Sequence, residues 1–191
     1  MIIFAFIGAA SPGPVNIIAT TSSVNYGFKR TMGHIFGASA AYALIVFLVG
    51  LGLNQVLVAN PLFSVTVKYL GAAFLLYLSY QIAVGKSSND STKIQSPAPS
   101  VLHGFLAQGL NPKAWFVSMS GVSLFVVPHD PASLYLSIFT AVSFVICLMG
   151  VGLWAAAGEL FSLLLAQPKN QVTFNRLMGL LLSLTVVLMF V

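Results

Sequence analysis

Apolar residues run through the chain in long blocks, with the polar residues gathered between and at a few points within them. A helix needs roughly 20 mostly apolar residues to cross a bilayer. Six stretches approach that length: residues 2–24, 33–53, 62–84, 101–127, 132–157 and 177–191. The last is short, and its lower end extends through Gln171 to Phe174 if Arg176 reaches outward along its apolar stem. Two blocks are interrupted, one at Ser11-Pro12-Gly13-Pro14 and one at Asn111-Pro112-Lys113. The pattern predicts an all-α membrane protein with six transmembrane helices in a single domain, residues 1–191. A polar linker, about 86–100, separates halves of about 1–85 and 101–191.

The basic residues sort by connection. Lys29 and Arg30 lie between segments one and two, Lys86 and Lys93 between three and four, and Lys169 and Arg176 between five and six. The two remaining connections, 54–61 and 128–131, contain no Lys or Arg. Basic loops stay in the cytoplasm. The expected protein is therefore multi-pass, with both termini outside. The first half then starts outside and the second inside, which makes them two inverted three-helix repeats.

Pro12 and Pro112 each stand about 11 residues into their segments, roughly 15 Å deep at 1.5 Å per residue. Both breaks are thus expected near the middle of a ~30 Å hydrocarbon layer, approached from opposite faces. A proline inside a helix removes an N–H and displaces a carbonyl of the preceding turn. Such freed groups must be buried in protein or line a wet cavity. Matching breaks in inverted halves point to a transporter's central site. The competing reading is a pair of ordinary kinks packed against neighbours.

The candidate substrate-binding residues are Pro12, Gly13, Pro14, Asn16, Asn111, Pro112 and Lys113, with Ser11, Thr20, Thr21 and Gln108 as polar companions. On a continuous helix Asn16 would share a face with Pro12. Lys113 is costly at that depth and should face the bundle interior. Three roles are open to it: binding a substrate carboxylate, snorkelling or losing its proton, or hydrogen-bonding freed carbonyls.

Composition narrows the function. Hydrophobic residues make up 58% of the chain and charged residues 6%, against about 25% charged in an average soluble domain. The net charge of +5 is dispersed and forms no stripe for nucleic acid. Cys147 is the sole cysteine and reads as a buried thiol. No His or Cys cluster has metal-ligand spacing, and no cofactor or enzymatic activity is expected. The carboxylates Asp90, Asp130 and Glu159 fall in connections or at segment ends, so none sits at the midplane as a proton relay. His34 and His103 read as interfacial. Gly33-x-x-x-Gly37 predicts close helix packing. Lys68 is expected to snorkel, and Trp115, Trp154 and Tyr69 to anchor at the interface or pack.

Several runs resemble the LysE/RhtB family of amino-acid exporters across nearly the whole chain. They are Ser11-Pro12-Gly13-Pro14 with Asn16, Tyr26-Gly27-Phe28-Lys29-Arg30, residues 68–78, Gly104-Phe105 and Asn111-Pro112-Lys113-Ala114. Val15 stands where the family usually has asparagine. Within the family, the PGPVNI run and Trp154-Ala155-Ala156-Ala157-Gly158 are most similar to exporters of cysteine and O-acetylserine. The resemblance implies a secondary transporter exporting an amino-acid-like solute, driven by the proton motive force. Its alternatives are a small-solute channel or a structural membrane subunit. Six short helices leave little room for a wide internal cavity, which makes a homodimer an option.

Overall fold

The structure is a computed structural model that describes residues 1–52, 61–84, 98–165 and 167–187. Among the described residues there are eight helices and no strand. They are α1 (Ile2–Ala10), α2 (Pro14–Tyr26), α3 (Phe28–Gly50), α4 (Pro61–Val84), α5 (Val101–Gly109), α6 (Pro112–Phe125), α7 (Ala132–Leu164) and α8 (Pro168–Val187). The expectations for Lys86, Lys93, Asp90, residues 54–60 and the Lys68 side chain lie outside the described residues.

The interrupted segments are interrupted helices. The first becomes α1 and α2, bent by 61° at their break. The fourth becomes α5 and α6, separated at Leu110 and Asn111. Among the described residues α3 and α7 are long and apolar enough to cross a membrane alone, and the bent α1–α2 pair makes a third span if counted as one.

α7 runs past the expected end at residue 157, through Gly158 and Glu159, to Leu164. Its 33 residues span about 50 Å, longer than a ~30 Å hydrocarbon layer. Gly158 permits the extension to pack. A methyl group there would lie 2.3 Å from the carbonyl oxygen of Thr20, so the backbones of α7 and α2 touch. α8 starts at Pro168, well before residue 177, and buries Gln171 and Asn175 against α2. Asn25 Nδ2 donates to Asn175 Oδ1 at 2.9 Å, and Asn175 Nδ2 and Gln171 Nε2 donate back to Asn25 Oδ1 at 3.1 and 3.0 Å.

α3 is the hub. It packs against α2, α5, α6 and α7, while α4 packs chiefly against α8. The α3–α5 crossing is a backbone contact, as the glycine spacing predicts. A methyl group on Gly37 would lie 1.9 Å from Val101 O, and one on Gly104 would lie 2.1 Å from His34 O. α4 and α8 meet through Ser79, whose Oγ donates to Gly179 O at 2.7 Å. Large apolar side chains such as Leu62, Tyr80, Phe116, Leu163 and Leu180 remain exposed. Lipid satisfies such a surface; water does not.

His34, expected near the interface, is enclosed by protein. It is fully buried, and its Nε2–H donates to Val15 O at 3.1 Å. Gly33, Gly37 and Gly104 bring α5 close enough to cover it. His103 instead closes a capping box with Ser100 at the start of α5.

Candidate functional site

A helix leaves its last four carbonyls without an intrahelical donor. At the end of α1 every one of them has found a partner. Ser11 N–H bonds Ile7 O at 3.0 Å and Ser11 Oγ donates to Gly8 O at 3.1 Å. Asn16 Nδ2 donates to Ala9 O at 2.9 Å, and Trp154 Nε1 donates to Ala10 O at 2.9 Å. The carbonyls inside the break are served too. Asn16 Nδ2 also reaches Ser11 O at 2.9 Å, and Lys113 Nζ donates to Ser11 O at 2.7 Å and Pro12 O at 3.3 Å. The chain bends between Pro12 and Asn16, so they do not share a helical face. Asn16 folds back across the gap and closes it.

The second break is built alike. Trp115 Nε1 donates to Gly109 O at 2.8 Å. Asn111 is the N-cap of α6, its Oδ1 accepting from Lys113 N–H at 3.1 Å. Its Nδ2 donates to Gln108 Oε1 at 3.1 Å, and Gln108 Nε2 contacts Cys147 Sγ at 3.9 Å. In both breaks the helix restarts with proline at its first position, Pro14 in α2 and Pro112 in α6. Proline fits there because its missing N–H would have had no intrahelical acceptor.

The α2 start differs in one respect: no side chain caps it. Gly13, Pro14, Val15 and Asn16 are all buried. The positive end of the α2 dipole is therefore enclosed beside the Lys113 ammonium. A methyl group on Gly13 would sit 3.4 Å from both Cδ and Nζ of Lys113, which places the lysine side chain against the start of α2.

The two breaks meet. Gly13, Asn16, Asn111 and Lys113 line one cavity of about 30 Å³, room for roughly two water molecules. Pro12, Pro14 and Pro112 act through the backbone, Pro12 by its carbonyl and the other two by starting helices. Thr20 and Thr21 turn to helix carbonyls, Asn16 O and Ile17 O, at 2.9 and 2.8 Å. Of the roles open to Lys113, bonding to freed carbonyls is the one observed. Among the described residues no carboxylate pairs with it. Glu159 lies elsewhere and accepts from Phe28 N–H, at the start of α3, at 2.7 Å.

Sequence reasoning did not assign Trp115, Trp154 and Tyr42 to this site. Trp115 follows Asn111 by four residues, a spacing that places an indole donor near the break. Trp154 and Tyr42 come from α7 and α3 and left no local signal.

Residues 6–190 match the family described as LysE type translocator. The chain is 30% identical to proteins named "Cysteine/O-acetylserine efflux protein" from Escherichia coli (strain K12) and Shigella sonnei (strain Ss046). The alignments cover 98% of this chain and 94% of each relative. No solved structure matches the chain.

Proposed function

Because the chain belongs to the LysE type translocator family, we propose that it is a secondary transporter exporting small amino acids or close derivatives across a bacterial cytoplasmic membrane. The efflux named for its relatives supports cysteine and O-acetylserine as substrates. The remaining parts of the proposal are six spans in two inverted halves, termini outside and the proton motive force as driver. They rest on the alternation of basic and uncharged connections and on the paired breaks.

The observation that carries this reading is the Lys113 ammonium, held by two neutral carbonyls, Ser11 O and Pro12 O, with no acidic partner among the described residues. Its charge is solvated but not neutralised. A zwitterionic amino acid offers the complementary pair of groups. Its carboxylate takes Lys113 Nζ and the uncapped start of α2, where backbone N–H groups and the helix dipole favour an anion. Its ammonium takes the carbonyls that Lys113 vacates. Lys113 thus occupies the place of the substrate's own ammonium until substrate arrives. A cavity of about 30 Å³ does not hold an amino acid, so binding requires the α1–α2 and α5–α6 breaks to part.

Counterflow in proteoliposomes against a panel of labelled amino acids, with and without a pH gradient, tests this. Lys113→Met should lose at least about tenfold of the rate while still inserting, since it removes a charge-assisted contact. Wild-type rates from Lys113→Met would refute the central-site reading. Net efflux indifferent to the pH gradient would refute proton coupling, and net flux without counterflow would favour a channel.

A further inference from the structure

One polar group on the cavity wall takes no part in the closure of either break. Tyr42, on α3, lines the same cavity as Asn16, Asn111 and Lys113 and is 4% exposed. Its hydroxyl makes no hydrogen bond of ordinary geometry, and the side chain beside it is Ser118, whose hydroxyl is equally unserved. A buried hydroxyl without a partner is costly, and phenylalanine would fill the same space without that cost. Gln108 and Cys147 flank the same cavity. The Gln108 amide donates one N–H only to the weak acceptor Cys147 Sγ, at 3.9 Å. Thus the cavity is lined by the ammonium and the start of α2. Its wall also carries a phenol and an amide with bonding capacity unspent.

We propose that Tyr42 Oη, supported by Gln108 Nε2, forms a side-chain subsite that selects amino acids with a short, hydrogen-bonding side chain: a hydroxyl, thiol or ester. This rests on the central-site reading above and names the part of the site that reads the substrate's side chain. A phenol donates to an ester carbonyl or hydroxyl oxygen, and an amide N–H donates to the same class of acceptor. A site built around such donors discriminates strongly against an apolar isostere, because binding the isostere leaves them unpaired.

The experiment compares wild type, Tyr42→Phe and Ser118→Ala in proteoliposomes. Counterflow is measured for L-serine against L-2-aminobutyrate, and for O-acetyl-L-serine against L-homoleucine, their apolar isosteres. The subsite predicts that Tyr42→Phe folds at least as well as wild type, and that the polar-over-apolar rate ratio falls about tenfold in both pairs. In wild-type protein, serine and O-acetylserine should raise the melting temperature more than their isosteres, a readout that needs no variant.

Unchanged ratios in Tyr42→Phe would overturn the proposal. So would equal stabilisation of the wild type by polar and apolar ligands. The buried Ser118 hydroxyl beside it likewise makes no hydrogen bond of ordinary geometry. If the two hydroxyls serve each other, Tyr42→Phe and Ser118→Ala will both lower the melting temperature and leave the ratios alone, which also overturns it. Counterflow of no amino acid by the wild type defeats the exporter reading itself, and the subsite falls with it. Counterflow with no polar preference defeats the subsite alone.

Discussion

Asn16 and Thr21 are buried on the same helix and both donate to carbonyls, yet their removal should have different consequences. Asn16→Ala deletes the donor to Ala9 O and one of two donors to Ser11 O. Ser11 O keeps Lys113. Ala9 O, in the last turn of α1, keeps no other bond among the described residues. Orphaning a fully buried carbonyl costs about 1–3 kcal/mol, half-buried Ala9 O falls toward the lower end, and the lost bond at Ser11 adds roughly 1 kcal/mol. Side-chain hydrogen bonds within membranes average only about 0.6 kcal/mol, which places the expected total near 2 kcal/mol. Thr21→Val deletes a bond to Ile17 O, a carbonyl that already receives the helical N–H four residues on. Nothing is orphaned, and the cost should stay under about 1 kcal/mol. Denaturant titration in detergent reads both differences, with stability taken from the midpoint and slope. Asn16→Ala should also lose efflux in vesicles, because the break it closes lines the cavity. Equal stability of the two variants would show that the accounting of carbonyls at the break is mistaken.

Two other predictions concern the frame around the site. Gly37→Ala gains helix propensity worth about 1 kcal/mol, but its methyl would meet the Val101 carbonyl at 1.9 Å, a backbone atom with little freedom to yield. Overpacking costs about 1–3 kcal/mol or more, so the melting temperature should fall. It should hold or rise for Gly152→Ala, which has no such neighbour within 4 Å; a fall in that control would show that propensity does not decide the sign here. Glu159→Ala removes the acceptor for Phe28 N–H at the start of α3. The carboxylate is exposed, which limits the loss to about 1 kcal/mol. Glu159→Gln, which retains an accepting oxygen, should lose less, and identical melting temperatures for the two would rule out the capping role.

The breaks were legible because proline and glycine act on their own backbone, and the chemistry of Pro12, Gly13, Pro14 and Pro112 is local. Asn16, Asn111 and Lys113 were legible as polar residues that a hydrocarbon environment tolerates only with a purpose. What each would touch was not. The donor that closes Ala10 O is Trp154, 144 residues away, and no spacing rule reaches that far. The burial of His34 was not legible, because it depends on the glycines that bring α5 over it. The end of α7 was misplaced for a related reason. Glu159 reads as a terminator in a hydropathy pattern, whereas in three dimensions it serves another helix's start. The α4–α8 pairing, with Ser79 bonded to Gly179 O, likewise depends on a crossing point that only the folded chain defines.

The end of α1 has a consequence for motion. Its acceptors are divided among α2, α6 and α7 through Asn16, Lys113 and Trp154. Neither α2 nor α7 can shift alone without stranding an oxygen, Ala9 O or Ala10 O, that the others are not placed to serve, whereas Ser11 O keeps Asn16 if α6 moves. Rearrangement at this point must therefore be concerted, or each departing donor must be replaced as it leaves. In the proposed binding mode a solute's ammonium is such a replacement, and the cargo would then lower the barrier to the movement that carries it.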